Sequence, residues 1–129
     1  DADRIETLTI GDYYKKNDKH YVLYEEVTEG FTQPTKNRLK ISDHCLELVR
    51  NGLVNVHMVF EENKKNMTNY NTPFGPLLIG IDTRKIQVEE TEERILVDVE
   101  YALDVNYEFL TDCHIKIDIS PKENSGFLH

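Results

Sequence analysis

From Arg94 to Asp104 apolar and charged side chains alternate without a break. Ile95, Val97, Val99, Tyr101 and Leu103 share one parity, with Asp98, Glu100 and Asp104 on the other. A sustained period of two means an extended strand with one face on a core and one face wet. The pattern recurs downstream, where Cys113, Ile115, Ile117 and Ile119 oppose His114, Lys116, Asp118 and Ser120. Upstream, Leu77, Ile79 and Ile81 point one way, whereas Ile86 and Val88 fall on the opposite parity. A register switch inside one apolar run predicts a bulge near Asp82-Thr83-Arg84. Glu89 to Glu93 reads as a charged hairpin tip, and residues 105–112 read as the connection between the last two strands.

The remainder of the chain fits the same kind of structure. Ile5 to Lys16 reads as a strand, with Gly11 marking a bulge. Asn17-Asp18-Lys19 turns the chain into a second strand, His20 to Val27, followed by a loop over Thr28 to Gln33. Lys36 to Ile41 and His44 to Arg50 are the third and fourth strands. Asn51-Gly52 predicts a tight hairpin, since both central residues of a type I′ turn need positive φ. In Leu53 to Glu61, Val54, Val56, Met58 and Phe60 share a face. Glu62 to Lys65 reads as a polar turn, Met67 to Tyr70 as a short sixth strand, and Thr72-Pro73-Phe74-Gly75-Pro76 as a break. Short strands joined by tight turns, without a convincing helix, give an all-β fold. A meander of hairpins closes naturally into an up-and-down antiparallel barrel of about eight to ten strands. Residues 1–120 form this single domain and residues 121–129 a polar tail.

Charge narrows the function classes. With 24 acids against 15 bases the formal net charge is −9, and the basic residues are scattered, so neither a nucleic-acid groove nor a polybasic membrane patch is present. No apolar run approaches the roughly 20 residues that span a bilayer. Two cysteines are too few for a disulfide scaffold, and cytoplasm is the default compartment. Asn66-Met67-Thr68 fits the glycosylation sequon, a signal of little weight without secretion.

Tyr13-Tyr14 through Tyr21-Val22-Leu23-Tyr24-Glu25-Glu26, then Thr72-Pro73-Phe74-Gly75, Thr83-Arg84-Lys85-Ile86 and Tyr101-Ala102-Leu103 resemble the YwiB-like family of small bacterial proteins of unknown function. The resemblance covers nearly the whole chain. It implies a calycin-like, that is lipocalin-like, β-barrel, and a further strand ahead of the position matching Asp1. It brings no established catalytic residues. Related barrels bind small apolar molecules, an analogy of fold that does not fix function.

The chemistry-bearing residues do not converge. In His44-Cys45 and Cys113-His114 adjacent side chains on a strand point to opposite faces, so neither pair chelates one ion, and close ligand pairs are missing. Cys113 lies on the isoleucine face and Cys45 shares its parity with Glu47, settings that do not favour a thiolate. Ser42, Ser120 and Ser125 stand in turns or the tail, without a nucleophile-elbow frame. Glu25-Glu26, Glu61-Glu62 and Glu89 to Glu93 read as solvated charge at strand ends and hairpin tips. No cofactor, metal or catalytic set is expected. What remains is the barrel interior, where Met58, Phe60, Tyr70 and Tyr101 are the expected lining residues of a site for a small apolar or amphipathic ligand. The alternative is a side-chain-filled barrel serving as a protein-interaction module, with homo-oligomerisation left open.

Overall fold

The computed structural model describes residues 5–27, 29, 30 and 32–122. Thr28 and Phe31 of the expected loop, and residues 123–129 of the expected tail, lie outside the described residues. Among those described the chain forms nine strands: β1 (Gly11–Lys16), β2 (Lys19–Glu26), β3 (Thr35–Ser42), β4 (Cys45–Asn51), β5 (Val56–Glu61), β6 (Lys64–Thr72), β7 (Gly75–Glu90), β8 (Ile95–Val105) and β9 (Glu108–Ile119). Each is antiparallel to its neighbour in chain order, β1 to β5 in one sheet and β6 to β9 in the other. The two sheets meet at the β5–β6 turn, where the Asn63 N–H donates to the Thr83 carbonyl at 2.9 Å. This is the up-and-down barrel wall that the alternating pattern implies. Among the described residues, no strand pairs with the outer edges of β1 and β9, so the wall is open there along a seam.

Turns set the registers. Asn17 and Asp18 (φ 53° and 63°) and Asn106 and Tyr107 (φ 50° and 70°) both take left-handed backbone, joining strands whose last and first residues pair directly. Such primed turns match the twist of the flanking strands. Asn51-Gly52 does not form one. Gly52 lacks positive φ and the chain bends on to residue 55. Glycine is required there for another reason: a Cβ would stand 3.2 Å from the Thr35 Cα. Gly11, expected at a bulge, instead pairs regularly with Tyr24, and a Cβ on it would lie 2.7 Å from the Leu23 carbonyl oxygen. The expected strand from Ile5 starts only at Gly11. Residues 5–10 lie outside the strands, and Ile5, Leu8 and Ile10 are exposed.

The bulge in β7 falls where the parity switch predicts. Thr83 pairs with Tyr101 and Lys85 with Glu100, leaving Arg84 as the extra residue. It turns Ile81 and Ile86, of opposite sequence parity, onto the same buried face. A second register shift leaves Leu110 unpaired opposite Leu103 and Asp104, so the expected 105–112 connection is a two-residue turn followed by strand. The polar face of β8 departs from expectation at Asp104, which is buried. The Lys65 side chain crosses Gly80, which has no side chain to block it, and pairs with the Asp104 carboxylate.

Ile41, Leu46 and Phe60 from the first sheet pack on Ile81, Val97, Val99 and Tyr101 from the second. Phe60 and Tyr101 meet edge to face with centroids 5.0 Å apart, a favoured aromatic arrangement. Burial, and then the facing Cys113 thiol, pushes the Tyr101 phenol well above the usual tyrosine range. Thr83 is fully buried, and its hydroxyl has no hydrogen-bond partner among the described residues.

Two stability measurements follow. Thr83→Val keeps the shape and removes a buried polar atom, so denaturant unfolding will show a gain of about 1 kcal/mol; a loss contradicts this account of the site. The unfolded state releases its tyrosine protons near pH 10, while folded Tyr101 holds its proton to higher pH. The contribution of Tyr101 is therefore intact below about pH 10 and falls as pH rises beyond it. Tyr101→Phe will flatten the alkaline limb of an unfolding midpoint against pH profile, leaving the slopes contributed by Tyr24, Cys45 and Lys65, whose pKa values are also raised.

Candidate functional site

Alternation decides which side chains reach the interior. β2 turns His20, Val22, Tyr24 and Glu26 inward, β3 turns Asn37, Leu39 and Ile41, and β4 turns Leu46, Leu48 and Arg50. β6 is unusual because its inner face is polar, with Asn66, Thr68, Tyr70 and Thr72 the less exposed positions. The Phe60–Tyr101 contact sits midway and leaves a cavity toward each end of β8. One, about 700 Å³, reaches from Leu39, Leu46 and Phe60 past Ile95 and Ile117 to the seam. The other, about 510 Å³, is walled by Val56, Met58, Leu77, Ile79, Leu103 and Val105, with Thr35, Thr68, Tyr70 and Arg50 supplying polar atoms.

The expected lining residues divide between these spaces. Met58 and Tyr70 stand together on the wall of the smaller cavity, Phe60 on that of the larger, and Tyr101 in the packed plug between them. The interior is thus neither one continuous cavity nor wholly filled.

The polar interior groups escaped the sequence reading. Arg50 Nη2 forms an ion pair with Glu26, 2.9 Å from Oε1, and Asn37 Nδ2 donates to the same oxygen at 2.9 Å. Asn37 is only 2% exposed, and its Oδ1 has no partner among the described residues. The Tyr24 phenol is pushed up by burial and then by Glu26, with Arg50 opposing. Glu26 thus points inward in phase with Val22 and Tyr24, although its side chain stays 36% exposed. Strand parity was the available signal: Glu26 is in phase with Val22 and Tyr24, and Arg50 with Leu46 and Leu48.

At the seam His20 is 4% exposed. Its ring lies between the Tyr13 hydroxyl, 2.8 Å from Nδ1, and Glu90, 3.1 Å from Nε2. Lys15 also approaches Glu90, at 3.5 Å. Glu90 belongs to β7, so this group ties the two sheets together beside the larger cavity.

The other chemistry-bearing residues stand apart. His44 faces outward against Glu62 at 3.5 Å, and burial pushes the Cys45 thiol up, with Glu61 and Glu47 adding to the effect. Cys113 faces Tyr101, whereas His114 lies on the outer face, 2.6 Å from Asp98. Asp98, Glu100 and His114 bring ligand atoms within 4.8 Å of one another. Glu100 also pairs with Lys85 at 3.8 Å and Asp98 lies opposite Lys116, an arrangement of cross-strand ion pairs on a half-exposed surface.

No helix is long and apolar enough to cross a membrane among the described residues. Comparison with known proteins gives a consistent answer. The uncharacterized β-barrel protein YwiB of Bacillus subtilis (strain 168) is 30% identical over 104 residues, covering 81% of this chain and 72% of YwiB. The crystal structure of the YwiB protein from Bacillus subtilis superposes with a TM-score of 0.65 at 25% identity, covering 87% of this chain and 75% of that one. The family model for the domain of unknown function DUF1934 matches residues 1–117. This β-barrel chain belongs to the DUF1934 family.

Proposed function

We propose that the protein binds one small amphipathic molecule inside the barrel, in the cavity beside Met58 and Tyr70, without covalent chemistry on it. The observation that carries this reading is the composition of that cavity. Its volume of about 510 Å³ falls within the roughly 300–1,000 Å³ typical of ligand sites. Its walls are aliphatic, with hydroxyls from Thr35, Thr68 and Tyr70 and a single guanidinium from Arg50. An apolar lining with a few polar groups that fix orientation is the usual form of a small-molecule site. The cavity is lined from β3 to β9 and takes no residue from β1 or β2.

A second reading, an interaction module, is favoured by the outer edge of β9, with which no strand pairs among the described residues. Twelve residues of strand end the second sheet there, and exposed strand edges readily template pairing with another chain. Sedimentation over a range of protein concentrations distinguishes a self-associating edge from a monomer.

The binding reading is tested by native mass spectrometry of freshly purified protein, which is expected to reveal a retained species of a few hundred daltons, and by titration with medium-chain amphiphiles. Met58→Trp fills the cavity and is expected to weaken such binding about tenfold or more, about 1.4 kcal/mol. Retention of nothing, together with no saturable amphiphile binding by the wild type, counts decisively against it.

A further inference from the structure

Resting on the binding reading, we infer that Arg50, fixed by Glu26 and Asn37, anchors the head group and that the cavity selects a molecule with a carboxylate head on an apolar body. Among the described residues that line this cavity, Arg50 alone carries a full charge. An ammonium head brought there meets a like charge, whereas a carboxylate meets a planar fork of N–H donors that matches its two oxygens.

The geometry behind Arg50 favours this role. Glu26 Oε1 accepts from Asn37 Nδ2 and is ion-paired with Arg50 Nη2, each at 2.9 Å. The carboxylate also fixes the orientation of the amide, because the opposite one would set the Asn37 oxygen against an anionic oxygen. Asn37 lies directly across from Arg50 in the β3–β4 register, and Val56 flanks Arg50 on its other side. The guanidinium is thereby gripped at one nitrogen from the β2–β3 side, while Arg50 itself lines the cavity. Its remaining N–H groups are the donors a bound carboxylate can use.

Stability gives a poor account of these three residues. The Arg50 and Glu26 side chains are 37% and 36% exposed, and an ion pair so open to solvent contributes little. Apolar residues at the same inward positions would fill the barrel without leaving the Asn37 oxygen unpartnered. The net charge of −9 slows the approach of an anion, but selection inside the cavity is set by the charge nearest the head.

Isothermal titration with decanoate, 1-decanol and decylamine, each below its micellar concentration, separates head from tail. The wild type is expected to bind decanoate at least tenfold more tightly than decanol, and decylamine most weakly. Arg50→Met should bring decanoate to within about threefold of decanol while decanol affinity stays near the wild-type value. Glu26→Gln should keep the preference for decanoate or raise it, since it removes the competing anion. Far-UV circular dichroism and thermal melting verify that each variant is folded. Equal binding of all three tails, or a preference for decanoate that survives in Arg50→Met, overturns the anchor and leaves the binding reading standing. Failure of every tail to bind overturns both.

Discussion

The contact between Phe60 and Tyr101 governs the interior of this barrel. Phe60 comes from β5 and Tyr101 from β8, so their edge-to-face packing joins the two sheets at the middle of the wall. Around it gather the residues most completely removed from water, Ile41, Leu46, Ile81, Val97 and Val99. A barrel of about this many strands has room either for side chains or for one small ligand. Here the aromatic pair fills the waist and leaves a space at each end. Most of the hydrophobic stabilisation therefore resides in the plug, while the ends are free to carry polar groups that a continuous core would not tolerate.

Local geometry serves this arrangement. Without the extra residue Arg84, β7 would turn either Ile79 and Ile81 or Ile86 and Val88 to solvent, because a one-residue slip reverses every side chain. The bulge lets one long strand contribute to both halves of the interior. Gly80, lacking a side chain, opens a path for Lys65 to reach Asp104 across the outer face. Where the sheets approach each other away from the β5–β6 turn, the Tyr13–His20–Glu90 group spans them, a polar clasp in place of strand pairing.

Strands with one apolar face were legible in the sequence. Ile95 to Leu103 and the run from Cys113 to Ile119 bury the parity that the pattern indicates, and the β7 bulge follows from a parity switch that no other local conformation explains as simply. β6 was read as four residues because Asn66, Thr68 and Thr72 face inward without being hydrophobic; alternation of polarity vanishes when both faces are polar. The β8–β9 turn was hidden by Tyr107, since a bulky residue at positive φ is uncommon and carries no turn signal. Asn51-Gly52 misled for the converse reason, a dipeptide suited to positive φ selected instead by close contact with Thr35. Of the expected lining residues, Met58 and Tyr70 meet in one cavity because Met58 keeps the parity of Val56 and Phe60. Arg50, Glu26 and Asn37 are harder to read, because a charged or polar side chain ordinarily signals solvent, although parity turns them inward.

An antiparallel sheet commonly turns apolar residues to the core and polar ones to water, and β8 and β9 follow this closely. β2, β3, β4 and β6 do not, and their inward polar residues lie beside or between the two cavities. Asn37 Oδ1 and Asn66 Nδ2, a buried acceptor and a buried donor, have no partner among the described residues, a condition that is costly in a core and uncommon in native proteins. If packing alone had shaped this barrel, such groups would be expected least where burial is greatest. Asn37, at 2% exposure, is instead one of the most buried side chains in its sheet, and it spends its one described hydrogen bond on the carboxylate that holds Arg50. The stability of the fold does not require polar residues concentrated inside a wall whose outer face is already rich in charge, whereas the proposed binding of a polar head group does.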